Sequence, residues 1–148
     1  MAYTDVISLS EAKDYLGVDD TSRDAEITRI ITSALKYIEK RTNIIMQPID
    51  KDYYLVDSVV RVYDAPINTL DSSLTSTVSR IKRPLYSIYV DTDVNNDILT
   101  LNVGSDEVDE DVLEAAYMLI EHYFKEGERM TVPKTVEDLI NANRRFII

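Results

Sequence analysis

Along the chain the apolar positions follow two different rhythms. Near both ends they recur every three or four residues, and in the middle they alternate. Asp109 to Gly127 is the strongest helical stretch. Val112, Ala116, Leu119, Ile120 and Tyr123 form one row, which Leu113, Tyr117 and Phe124 widen into a face broad enough for several neighbours. Asp109, Glu110 and Asp111 stand where the helix dipole favours anions, and Gly127 can take the left-handed conformation that ends a helix. At the N-terminal end, Ser8 and Glu11 are spaced as a capping box, so a short helix is predicted, with Leu9, Ala12, Tyr15 and Leu16 on its apolar side and Gly17 as its stop. A longer helix is predicted from Ser22 to Asn43, with Asp24 and Glu26 in its first turn, a stripe of Ile27, Ile30, Ile31, Ala34, Leu35 and Ile38, and Lys36, Lys40 and Arg41 near its end. A last helix carries Val136, Leu139 and Ile140, with Pro133 at its first helical position.

From Ile44 to Val103 β-branched residues and tyrosines predominate. The predicted strands of this small sheet are Tyr53–Val56, Val59–Tyr63, Arg80–Arg83, Leu85–Val90 and Ile98–Val103, with Leu99, Leu101 and Val103 on one face of the last. Pro48, Pro66 and Pro84 belong at strand ends, edges or turns, because each removes a ladder donor. Leu70 to Ser79 is too polar for a core strand and reads as an exposed loop or a projecting strand, either a contact loop or an ordinary surface one. The expected fold is α+β: a single domain over residues 1–148, with a helical body from 1–43 and 109–148 and a small antiparallel β insertion at 44–103.

Composition narrows the function. With no cysteine, disulfides and thiolate metal sites are excluded. The longest apolar run, Ala115 to Ile120, is far short of a membrane span, and the opening MAYTDVISLS lacks the features of a signal peptide, so a soluble intracellular product is expected. The 16 basic residues against 27 acidic ones leave a net charge of −11, which opposes adhesion to nucleic acid. That charge is either a solvated surface or a surface that stays near DNA without sticking to it.

Candidate chemistry is sparse. Asp91, Asp93, Asn95 and Asp97 have the spaced oxygens of a calcium loop. Asn96 stands where that loop needs glycine, however, and Asn102 where it needs a bidentate glutamate. A hairpin turn at Asn95-Asn96 accounts for the same residues. His122 is the only histidine, and no motif sets a nucleophile or a second imidazole beside it, so catalysis through it is the weakest reading. Three glycines, none clustered, make no phosphate cradle. Ten tyrosines, among them Tyr53, Tyr54, Tyr63, Tyr86 and Tyr89, suit sheet packing or a protein interface better than base stacking, since only Arg80, Lys82 and Arg83 cluster near them. No catalytic, cofactor or metal residues are assigned. Arg144, Arg145, Phe146, Ile147 and Ile148, basic and then apolar, either complete the last helix or insert into a partner.

The order of these segments resembles the head-tail connector (adaptor) proteins of tailed bacteriophages. The resemblance is carried by Ile7 to Leu16, the acidic Val18-Asp19-Asp20, Asp24 to Ile27 opening a helix that closes at Glu39 to Asn43, and Ala65-Pro66-Ile67. Asp111 to Glu128 and the closing Val132-Pro133, Leu139-Ile140 and Arg144-Arg145 complete it. The resemblance implies a virion protein, assembled in the host cytoplasm, in a ring of about twelve copies under the portal. Such a ring extends the DNA channel and offers the tail a platform. Ring closure then calls for heterologous contacts, expected on the apolar faces of the Ser22–Asn43 and Asp109–Glu126 helices, with the portal bound by Arg144 to Ile148. The alternative is a cytosolic protein-binding module using its tyrosine-rich sheet.

Overall fold

The structure, a computed structural model, describes residues 3–54, 59–61, 67–70, 78–82, 87–90, 98–105 and 107–144; between 55 and 97 it describes backbone only. After a single 3-10 turn at Tyr3–Asp5 come helices α1 (Leu9–Leu16) and α2 (Asp24–Thr42). Six strands follow: β1 (Ile49–Tyr54), β2 (Val59–Arg61), β3 (Ile67–Leu70), β4 (Val78–Lys82), β5 (Ser87–Val90) and β6 (Ile98–Val103). Helices α3 (Glu110–Glu126) and α4 (Lys134–Ala142) close the sequence of elements. The fold class is α+β. The chain divides into two compact units, a helical one of Met1–Thr42 with Glu107–Arg144 and a β-rich one containing Asn43–Asp106.

The helix ends follow from local chemistry. The Ser8 hydroxyl accepts the Glu11 amide at 3.2 Å while the Glu11 carboxylate accepts the Ser8 amide at 2.8 Å, which completes the expected box and starts α1. Gly17 is left-handed, with φ 70°, and the Val18 amide reaches back to Lys13 O at 3.0 Å, so the chain turns out of the helix. α2 begins at Asp24 rather than Ser22, because the Asp20 carboxylate takes both the Ser22 amide, at 2.8 Å, and its hydroxyl, holding that residue in a turn. Asn43, at φ 58°, ends α2 in the left-handed region that asparagine tolerates. Gly127 does adopt positive φ, but at φ 93° and ψ 153° it lies outside the left-handed helical well expected for it. Pro133 is likewise one step off expectation. It is the N-cap of α4, extended at ψ 141°, and its carbonyl accepts the Val136 and Glu137 amides.

In the helical unit the apolar stripes meet. Ile27, Ile30, Ile31, Ala34, Leu35 and Ile38 of α2 are buried, as are Val112, Ala115, Ala116, Leu119, Ile120 and Tyr123 of α3. Ile7, Ala12, Val136 and Ile140 fill in from the remaining elements. Each large aliphatic side chain so buried contributes about 1.5–3 kcal/mol before the entropy of ordering is counted. Thr42, fully buried, donates its hydroxyl to Ile38 O at 2.8 Å, which removes the cost of a lone polar group.

The β-rich unit holds two sheets where one was expected. The first is ordered β1-β6-β3 and the second β2-β5-β4, each three-stranded and antiparallel. β5 and β6 therefore belong to different sheets; Asp91 to Asp97, with the turn expected at Asn95-Asn96, lie outside the described residues. The strand bounds also differ from expectation. β1 begins four residues before Tyr53, β4 two residues before Arg80, and β3 was not expected at all. The stretch read as a loop, Leu70 to Ser79, yields both of its ends to strands. Along β6, Leu101 and Val103 are fully buried and share a face, as the alternation predicted, while Asn102 and Thr100 face out and donate to Asp50 at 2.7 Å and Asp52 at 2.6 Å. Gly104 follows at φ 104°, with Gln47 O where a side chain would begin.

Candidate interaction surfaces

His122 of α3 lines an open groove of about 240 Å³ with Met118, Glu121, Lys125, Glu126, Pro133 and Val136. Its Nε2 is shielded from solvent and has no hydrogen-bond partner. No hydroxyl, thiol or second imidazole lines this groove. Among the described residues no cluster of three or more histidine, aspartate and glutamate side chains is placed to hold a metal ion.

The aromatic surface is organised by a pair that sequence reasoning did not connect. Tyr15 of α1, 47% exposed, packs its ring 5.0 Å from that of Tyr117 on α3. Partial burial pushes the Tyr15 hydroxyl up from the usual phenol range, and the charges of Glu121 and Glu114 push it further; Tyr117 is raised by burial and by Glu11. The pair sits in an acidic surround. Both residues read as apolar positions on separate helices, and only packing of α1 across α3 joins them. Nearby, the Arg23 guanidinium lies 3.8 Å above the Phe124 ring while pairing with Glu26, so an expected apolar position of α3 is covered by a cation instead. On the sheet, Tyr54 and Ile98 are paired across β1 and β6 and are 71% and 50% exposed, an outward apolar spot at the end of an otherwise polar face.

The wide apolar faces of α2 and α3 were expected to serve both core and neighbour. In the helical unit most of these faces are buried, while Leu113, Tyr117 and Phe124 of α3 are half-buried; the residues opposite the buried stripes are mostly charged, Arg29, Lys36 and Lys40 on α2 and Glu110, Glu114, Glu121 and Lys125 on α3. Of the expected partner-binding segment, Arg144 is described. It is exposed, follows α4 and donates its amide to Asn141 O at 3.3 Å. Arg145, Phe146, Ile147 and Ile148 lie outside the described residues, as do Tyr63 and Tyr86. Among the described residues no helix is long and apolar enough to cross a membrane.

Comparison with known proteins gives these surfaces a context. Residues 6–144 match the family model described as phage gp6-like head-tail connector protein. The fold is similar to a chain of the neck of an empty gene transfer agent particle with C6 symmetry, at a TM-score of 0.73 and 15% identity, covering 100% of this chain and 94% of that one. It is similar at the same TM-score, identity and coverage to a chain of the virion of a native gene transfer agent particle. A chain of the neck of the native particle with C12 symmetry gives a TM-score of 0.72 and 16% identity over 100% of this chain and 94% of that one. No curated protein matches the chain.

Proposed function

Because this chain belongs to the phage gp6-like head-tail connector family, we propose that it is a structural subunit in the neck of a tailed phage or phage-like particle. There it forms a ring of about twelve copies below the portal, extends the DNA channel and presents the platform on which the tail is built. The observation that carries this reading is the family match, which runs from the turn before α1 to the end of α4 and so takes in both units. The C6 and C12 symmetry of the similar neck chains supports a ring. A free-standing module binding through tyrosines is not favoured by a match of that extent.

The chemistry is compatible with a passive role. A subunit of net charge −11 repels DNA phosphates on balance, so a packaged duplex passes without the adhesion that a predominantly basic channel would create. The part is played without catalysis or a cofactor. Arg144 to Ile148 make the portal contact, with two cations to orient the segment and three apolar side chains to bury. The test is quantitative peptide mass spectrometry on gradient-purified particles, scaled to the major capsid protein. A low fixed stoichiometry near about a dozen copies is expected; finding the chain only in the soluble fraction overturns the connector reading.

A further inference from the structure

The outward faces of α2 and α3 carry opposite charges at matching intervals. At about 100° per residue, Arg29, Lys36 and Lys40 fall diametrically opposite the buried stripe of α2, and Glu110, Glu114 and Glu121 diametrically opposite that of α3, where the exposed Lys125, paired with Glu121, shares their face. α2 packs more extensively on α3 than on any other helix, so these outward faces turn to opposite sides of the pair. Their intervals correspond. From Arg29 to Lys36 to Lys40 the steps are seven and four residues, and from Glu121 back to Glu114 and Glu110 they are again seven and four. At about 1.5 Å per residue both stripes place their charges about 10 Å and about 6 Å apart.

From this we infer that the ring closes through α2 of one copy lying antiparallel against α3 of the next, with Arg29 meeting Glu121, Lys36 meeting Glu114 and Lys40 meeting Glu110. The inference rests on the ring reading and deepens it by naming the contact. A second copy is the occupant because the chain itself carries both halves at one spacing, on opposite sides of its helix pair. That is the arrangement a heterologous, ring-closing contact needs. Complementary rows of this kind fix register and suppress wrong pairings. In a protein of net charge −11, two copies repel over most orientations, and this orientation sets a cation against each carboxylate. Arg29 has an internal partner in Glu128 and Glu121 in Lys125, and Lys36 lies 5.9 Å from the centre of the Tyr3 ring. The two ion pairs are exposed, and all three contacts are weak enough to be exchanged for an interface contact.

The chain has no cysteine, which makes the contact directly testable in particles. In the proposed register Ala25 lies opposite Lys125 of the neighbour, one turn beyond the Arg29–Glu121 pair, and both are exposed. Particles assembled with Ala25→Cys/Lys125→Cys are oxidised and resolved on a non-reducing gel. A ladder of multimers is expected, absent from either single-cysteine variant. Particles that carry the chain at near about a dozen copies but give no ladder overturn this interface and leave the ring standing; particles that lack the chain overturn both. The charges are tested separately. Lys36→Glu/Lys40→Glu is expected to cut incorporation about tenfold or more, and adding Glu110→Lys/Glu114→Lys to the same chain to restore it. Undiminished incorporation of the first variant, or no recovery with the second, overturns the pairing.

Discussion

Gly104 has no room for a side chain. A Cβ there would stand 2.1 Å from Gln47 O and 2.7 Å from its carbon, at a φ of 104° that residues with a side chain avoid. Nothing at either position is a flexible tip that can swing aside. Gly104→Ala is therefore expected to destabilise by about 3 kcal/mol or more, read as a lower urea midpoint; a shift under about 1 kcal/mol would mean that the backbone relaxes freely. Tyr3 shows a different dependence on its surroundings. Its hydroxyl donates to Glu39 Oε2 at 2.6 Å, and burial first, then that hydrogen bond and the carboxylate charge, push it above the ordinary phenol range. The neutral phenol is thus favoured by the folded state. Its contribution is fully present below the unfolded value of about 10 and is lost as pH rises beyond it, because the unfolded chain then releases the proton more readily. Tyr3→Phe is expected to lower stability near neutrality by about 1 kcal/mol and to flatten the decline above about pH 10. Denaturant melts at pH 8 and pH 10.5 check this, and an unchanged alkaline slope would remove Tyr3 as a source of it.

The elements divide by how local their causes are. Helix positions were legible because a capping box, a glycine stop and a 3.6-residue stripe each act within one or two turns, and Ser8, Glu11, Gly17 and the α2 and α3 stripes behave as such signals should. The misses at helix ends are local competitions. The Asp20 carboxylate holds Ser22 before α2 can begin, and extended Pro133 caps α4 from outside. Strands are another matter. Alternation in Ile98 to Val103 identified the buried face, yet alternation says nothing about which strand lies alongside. The division into two sheets, with β5 in one and β6 in the other, rests on pairings such as Tyr53 with Leu99 that are far apart in the chain. Ile67–Leu70 has only two apolar residues in four, and it becomes a strand because β6 offers it a free edge.

For the whole molecule, the expected function turns on surfaces rather than on a pocket. Removing Arg144 to Ile148 is expected to leave the melting transition within a few degrees of the full chain, since α4 ends at Ala142, and to abolish incorporation into particles. Normal incorporation of the shortened chain would take the portal contact away from that segment. The surface could be read only in part beforehand. Composition alone established the acidic excess, the absence of cysteine and a single histidine, because these depend on which residues exist and not on where they lie. Local pattern established four helices and the face each one buries, because caps and periodicity act over a few neighbours. The tertiary structure alone decided that Tyr15 meets Tyr117 and that six strands split into two sheets. It alone decided that the stripe of α2 meets that of α3, with α1 and α4 filling in around them. Those outcomes depend on which faces meet across long stretches of chain. A local pattern marks which face of a helix is apolar, but not the neighbour that comes to cover it.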